Sequence, residues 1–165
     1  IQPGPWIVGG LLLQIVLEYL SQGAEHGHAH IKEGGQLPWL LLISLGLHAF
    51  IEGFPLVQQT ELLWGIFVHK IPIGMVLFFL VWNTKASKVL KISALILFAV
   101  MSPFGSLVNS SVSLNQNFQV QITALVMGML LHIATTILFE SNQGHAFNLR
   151  KLISILLAFG ISYSL

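Results

Sequence analysis

Residues 37–57, LPWLLLISLGLHAFIEGFPLV, and residues 62–82, LLWGIFVHKIPIGMVLFFLVW, are two long apolar runs joined by Gln58-Gln59-Thr60-Glu61. Each run can cross a bilayer as a helix, which needs about 20 mostly apolar residues at ~1.5 Å per residue. The runs predict helices because lipid offers the backbone no hydrogen-bond partners, and they lack the polar–apolar alternation of outer-membrane strands. The short connection makes the two helices antiparallel neighbours.

Four further runs, at roughly 6–20, 89–108, 119–139 and 149–165, raise the number of predicted spans to six. The composition agrees, because 55% of the residues are hydrophobic and only 8% are charged, against about 25% charged in soluble domains. A net charge of +1 without a basic stripe argues against nucleic acid as a partner. We therefore expect an all-α, polytopic transmembrane helical bundle in a lipid bilayer, with residues 1–165 as a single domain.

The basic residues predict an orientation. Six of the seven Lys and Arg residues lie in or beside the connections 21–36, 83–88 and 140–148. The positive-inside rule makes these connections cytoplasmic, which puts both chain ends outside. The localisation that we expect is a bacterial inner (plasma) membrane.

The first cytoplasmic connection, 21–36, contains alternating histidines. His26, His28 and His30, called the loop histidines below, form a short His-rich tract of the kind that binds metal ions. The alternative is a solvated polar loop with incidental histidines. The chain has no cysteine, so any metal ligands must be imidazole, carboxylate, amide or hydroxyl groups.

Ionisable residues inside the predicted spans are the strongest functional signal. A charged side chain at mid-membrane costs at least ~2.5–3.5 kcal/mol on insertion scales, and persists mostly where it pairs, lines a cavity or binds an ion. The residues in question are Glu18, His48, Glu52, His69, Lys70 and His132.

His48 and Glu52 lie four residues apart, on one face of a helix. His69 on the next helix lies within a turn of the same depth, so the three groups can meet and form an N/O site for a metal such as Zn²⁺. Pro72, one turn beyond His69, predicts a broken helix of the kind that holds ions in transporters. The alternative is a pair of neutral core histidines, with Glu52 paired to Lys70.

Two motifs carry a family resemblance. His48-Ala49-Phe50-Ile51-Glu52-Gly53 resembles the His-Asn-x-Pro-Glu-Gly motif in the fourth helix of ZIP metal transporters, and His69-Lys70-Ile71-Pro72-Ile73-Gly74 resembles the His-Glu-x-Pro-Glu-Gly motif of their fifth. Ser102-Pro103-Phe104-Gly105-Ser106 is similar to the Pro-x-Gly segment of the sixth. The six spans would then match helices three to eight of eight, and two N-terminal spans would be missing.

The resemblance implies a transporter, often a homodimer, that moves Zn²⁺ (or Fe²⁺ or Mn²⁺) toward the cytoplasm through a His/Glu site between two proline-broken helices. A member of this family is expected to be a transporter and not an enzyme. By position, His48, Glu52 and His69 match the ligands of the primary metal. Ala49, Lys70 and Ile73 depart from the motifs and remove most ligands of a second metal. One hypothesis is that the Lys70 ammonium replaces the second cation, balances Glu52 and leaves a one-metal centre.

Other residues are candidates for additional ligands or for the ion pathway. Glu18 and His132 reach similar depths in their spans, and Ser44 lies one turn from His48. The alternatives are a solvated Glu18 near the cytoplasmic rim and a His132 that bonds within its own helix. Two other classes of function stay open at this point. One is a membrane haem- or metal-binding protein or enzyme, and the other is a scaffold membrane protein that transports nothing.

Overall fold

The computed structural model describes residues 2–21, 35–112 and 114–140, together with the helical residues Ile153 and Leu157. The loop histidines and almost all of the sixth predicted span, 149–165, lie outside these ranges. The chain divides into two compact units, residues 1–132 and 133–165, and the boundary falls within a helix. The expected single domain of residues 1–165 therefore stays a prediction.

Within the described residues the fold is entirely helical. The five long helices are α1 (Gly4–Ser21), α2 (Trp39–Gly53), α3 (Thr60–Trp82), α4 (Lys88–Ser111) and α5 (Gln116–Glu140). Each is long and apolar enough to cross a membrane, α2 when it is taken together with the 3₁₀ turn that extends it to Val57. The predicted all-α class and the first five predicted spans are thus confirmed.

The outer faces of these helices carry large apolar side chains. Typical examples are Ile43, Val68, Phe79, Ile96 and Leu107, all of which are exposed. In water such a surface would drive aggregation, whereas in a bilayer it faces acyl chains of the same polarity. The surface is therefore that of an integral membrane protein.

Helices α2 and α4 cross at backbone contact. A Cβ atom added at Gly53 would overlap the carbonyl of Ser102, and one added at Gly105 would overlap the carbonyl of Phe50. Small residues at membrane-helix crossings permit such close approach. The Ser102 hydroxyl also donates a 2.6 Å hydrogen bond to the carbonyl of Ala49. This crossing fixes Ser102 of α4 directly beside the end of α2.

A similar crossing joins α1 and α5. A Cβ at Gly10 would overlap the Leu125 carbonyl, and a Cβ at Gly128 would overlap the Ile7 carbonyl. Helix α1 also packs against α2. As a result, one face of α1 is turned toward the polar residues of α2.

An apolar cluster holds α3 against α2 and α4. Its buried members include Leu45 of α2, Ile73 and Leu77 of α3, and Phe98 of α4. Ile73 is one of the departures from the ZIP motifs, and its side chain fills this core. The cluster fixes the rotation of α3, and so determines which side chains of α3 face α2.

The expected break at Pro72 is not confirmed. Helix α3 runs without interruption from Thr60 to Trp82 with Pro72 inside it. Transmembrane helices tolerate proline because neighbouring groups and local adjustments compensate for the lost hydrogen bond. Helix α2 does change at Gly53, where the chain enters a 3₁₀ turn, Phe54–Val57, that contains the buried Pro55.

Candidate metal centre

Two imidazoles meet one carboxylate oxygen between α2 and α3. Nε2 of His48 lies 2.7 Å from Oε1 of Glu52, and Nε2 of His69 lies 2.6 Å from the same oxygen. One ligand atom from each of the three residues lies within 4.8 Å of the others. His48 and Glu52 are almost fully buried, at 1% and 0% exposure, and His69 is 18% exposed. The predicted trio is therefore brought together.

The local sequence explains this convergence. His48 and Glu52 are one helical turn apart, so both project from the same face of α2. The 3₁₀ turn and Gln58-Gln59 then reverse the chain within a few residues, and α3 returns beside α2. His69, nine residues after the start of α3 at Thr60, reaches the level of that face.

The hydrogen bonds on the far side of each ring orient the Nε2 atoms. Nδ1 of His48 donates to the side-chain oxygen of Gln14 at 2.7 Å, and Nδ1 of His69 donates to the carbonyl of Gly65 at 2.9 Å. Both acceptors are oxygens that cannot donate, so the hydrogen belongs to Nδ1. In the neutral rings Nε2 then carries a lone pair. Both Nε2 atoms lie at hydrogen-bond distance from Oε1 of Glu52, which requires a proton or a metal ion between each nitrogen and that oxygen.

The second oxygen of Glu52 has a different partner. Oε2 accepts a 3.2 Å hydrogen bond from Nζ of Lys70, which also donates to the Ser102 hydroxyl. The same ammonium lies 5.8 Å from the centre of the Phe98 ring. The carboxylate is therefore divided, with Oε1 facing the imidazoles and Oε2 held by an internal cation.

Comparison with known proteins supplies the family. The family model described as "ZIP Zinc transporter" matches residues 16–164, which include all three residues of the trio. The chain belongs to the ZIP zinc transporter family. No curated protein and no solved structure matches the chain. Members of the ZIP family are transporters of divalent metals rather than enzymes, and the numbering of the spans as helices three to eight stays a prediction.

The structure gives the other polar candidates of this ZIP protein partners outside the trio. Glu18 of α1 and His132 of α5 pair with each other, with Oε2 and Nε2 2.6 Å apart. Both are partly exposed, at 22% and 16%. Ser44 is buried one turn from His48, and its hydroxyl donates to the Leu41 carbonyl of its own helix at 3.1 Å.

Sequence reasoning missed Gln14, which is fully buried in α1 and contacts His48. The sequence does contain an indication of this contact, because an amide inside an apolar span is costly to bury unless it has a hydrogen-bond partner. The ranking of intramembrane residues by charge passed over it.

An amide pair in α4 and α5 was missed for the same reason. Asn109 and Gln119 are both buried and exchange hydrogen bonds of 3.1 and 2.7 Å, and the Asn109 amide also donates to the Phe54 carbonyl at 2.6 Å. The pair therefore ties the ends of α2, α4 and α5 together.

Proposed function

We propose that this ZIP protein carries divalent metal ions, Zn²⁺ above all, across the membrane toward the cytoplasm, and that His48, Glu52 and His69 bind the ion. The observation that supports this proposal is the meeting of two oriented Nε2 atoms at one buried carboxylate oxygen. In a membrane-spanning protein of a metal-transporter family, buried imidazole and carboxylate groups of this kind are suited to bind a cation.

The donor set selects the class of ion. Neutral imidazole and carboxylate are ordinary ligands of Zn²⁺, which takes four ligands in a tetrahedral arrangement. Three protein ligands leave a position for water, so an ion can enter and leave by ligand exchange. Fe²⁺ and Mn²⁺ accept the same N and O donors, and selection among the three ions depends on geometry rather than on ligand type.

Lys70 limits the centre to one ion. Its ammonium holds Oε2 of Glu52, the oxygen that a second ion would need to share the carboxylate. With neutral histidines, Glu52 and Lys70 together have no net charge, and a bound Zn²⁺ brings the centre to +2. A second dication would meet both the first ion and the ammonium, with no further carboxylate among the neighbours of Glu52 described above.

The remaining candidates serve the path of the ion in this proposal. Glu18 lies one helical turn from Gln14, on the same face of α1. We place the Glu18–His132 pair next to the metal centre on the path of the ion. The loop histidines collect or sense ions on the cytoplasmic side, and Ser44 is an additional ligand or a residue of the ion pathway. The bacterial inner membrane, the outside chain ends and a homodimer also belong to the proposal.

A bis-histidine haem site is less compatible with the geometry than a metal-ion centre. The Nε2 atoms of His48 and His69 both contact the same oxygen of Glu52. A porphyrin between them would have to displace this buried carboxylate. The absorption spectrum of the purified protein checks this point.

The test is uptake of Zn²⁺, Fe²⁺ and Mn²⁺ into cells that express the full-length protein at matched levels. We expect uptake by the wild type and its loss in His48→Ala and in Glu52→Gln, because the first removes an imidazole ligand and the second replaces the charged carboxylate with a neutral, weaker amide. Thr84→Val is the control, since Thr84 is another buried polar residue, bonded to the Val81 carbonyl at 2.8 Å. Full uptake by Glu52→Gln would contradict the proposal.

A further inference from the structure

We propose that Gln14 is a positioning residue for metal binding: its side-chain oxygen holds the His48 ring so that Nε2 is presented to the ion. This inference rests on the proposed function of the trio and adds a residue from a third helix. Gln14 is fully buried in α1, and its Oε1 lies 2.7 Å from Nδ1 of His48, 34 residues away in the chain.

The amide oxygen determines which nitrogen of His48 carries the hydrogen. An amide oxygen can only accept, so the bond requires the hydrogen on Nδ1 and leaves the lone pair on Nε2. The other tautomer would place a hydrogen at the position of the ion. Partners of this kind fix both the tautomer and the ring orientation of histidines that bind metals.

The rings of His48 and His69 are oriented by different kinds of hydrogen-bond acceptor. His69 bonds to the carbonyl of Gly65, four residues earlier in its own helix. His48 instead uses a side chain from α1, so its orientation depends on the packing of α1 against α2. Substitution at Gln14 can therefore alter the metal centre without touching α2 or α3.

The neutral amide also tunes the strength of the ligand. A carboxylate in this position would pull the Nδ1 hydrogen more strongly and make Nε2 a better donor to a metal. Glutamine orients the ring without this added basicity. A transporter must release its ion, so a neutral partner at His48 suits release better than a charged one.

The experiment is a Co²⁺ titration of the purified full chain, followed by the visible absorption bands of tetrahedral Co²⁺. The protein carries His26→Ser, His28→Ser and His30→Ser, called the loop-silent background below, so that the loop histidines do not compete for the metal. Gln14→Met keeps the volume but removes the acceptor, and Gln14→Glu keeps the acceptor. Gln119→Met is the matched control, because Gln119 is a buried amide whose partner is Asn109.

We expect Gln14→Met to weaken Co²⁺ binding by about 10- to 100-fold, the usual effect of removing such a partner. Gln14→Glu should bind Co²⁺ at least as tightly as the wild type, with a lower KM and a lower kcat for uptake. Gln119→Met should keep the wild-type Kd even where its thermal stability falls. All measurements use the monodisperse fraction, so that misfolded protein does not count as weak binding.

A purely structural role for Gln14 predicts a different pattern. A buried carboxylate would then be at least as harmful as methionine, so weak binding by Gln14→Glu would overturn the inference. Wild-type affinity in Gln14→Met would overturn it as well. If Gln14→Met does not fold, the Kd of Gln14→Glu alone decides. Failure of the proposed function would give a different result. The wild type would then lack tetrahedral Co²⁺ bands, or would show bands that remain in His69→Ala.

Discussion

Replacing Lys70 with methionine should make this protein bind Zn²⁺ more tightly. The substitution keeps an unbranched side chain of similar length, and it removes the ammonium that lies 3.2 Å from Oε2 of Glu52. Glu52 then has its full negative charge available to the ion. The ion also loses a like-charged neighbour.

The geometry gives the size of the effect. An ion bound about 2 Å from Oε1 would lie about 5–6 Å from Nζ of Lys70. At an effective dielectric constant of about 20, the repulsion between a dication and an ammonium at that distance is about 6 kcal/mol. Relaxation and water entry leave about a quarter of this. About 1.4 kcal/mol already corresponds to a tenfold change in Kd. We therefore expect Kd for Zn²⁺ to fall at least about tenfold.

The assay combines calorimetric titration with metal analysis of the purified protein in the loop-silent background. Lys91→Met is the control, because Nζ of Lys91 donates to the Trp82 carbonyl at 2.7 Å and lies 5.7 Å from the Trp82 ring, with no carboxylate involved. This control should keep the wild-type Kd. Without Zn²⁺, Lys70→Met should be less stable by about 3–5 kcal/mol, since it leaves the buried Glu52 without its cation.

Two results would contradict this role of Lys70. If Lys70→Met binds Zn²⁺ no more tightly than the wild type, the ammonium does not act on the ion. If the wild type takes up two ions that His69→Ala abolishes together, Lys70 does not limit the centre to one.

Three further predictions follow from the packing and from the loop. Gly53→Ala should destabilise the protein by about 1–3 kcal/mol through overpacking at the α2–α4 crossing, whereas Gly74→Ala, which has open space for a Cβ, should leave the melting temperature nearly unchanged in detergent. Asn109→Leu and Gln119→Leu should each lower the free energy of unfolding by about 1–3 kcal/mol, because each leaves a buried amide without its hydrogen-bond partner. In a double-mutant cycle followed by thermal unfolding, the double substitution should lower it by clearly less than the sum of the two. Serine in place of the loop histidines should change the rate of Zn²⁺ uptake without abolishing it; complete loss would contradict a collecting or sensing role.

Much of the fold follows from the sequence because a bilayer leaves few choices. Long apolar runs must be helices, and the short 58–61 connection must bring α2 and α3 together. The trio was predictable for the same reason, since helical spacing places His48 and Glu52 on one face and chain length sets the depth of His69. Depth arithmetic also placed Glu18 and His132 at one level, where they pair with each other.

The contacts across helices were not predictable in this way. Whether Gln14 meets His48 depends on the rotation of α1, and depth arithmetic says nothing about rotation. Ser102 reaches Lys70 because two glycines, Gly53 and Gly105, let α2 and α4 touch. Pro72 removes one backbone donor, and α3 remains continuous around it, so the residue type alone overstated the disturbance.

The metal centre is tested most directly by X-ray absorption at the zinc edge of the purified loop-silent protein loaded with one equivalent of Zn²⁺. If His48, Glu52 and His69 bind the ion, the spectrum will show a single site with two imidazole nitrogens and a carboxylate oxygen at about 2.0–2.1 Å. In His69→Ala the imidazole signal should fall from two rings to one. An imidazole signal that is unchanged in His69→Ala would contradict the claim that His48, Glu52 and His69 bind the transported ion.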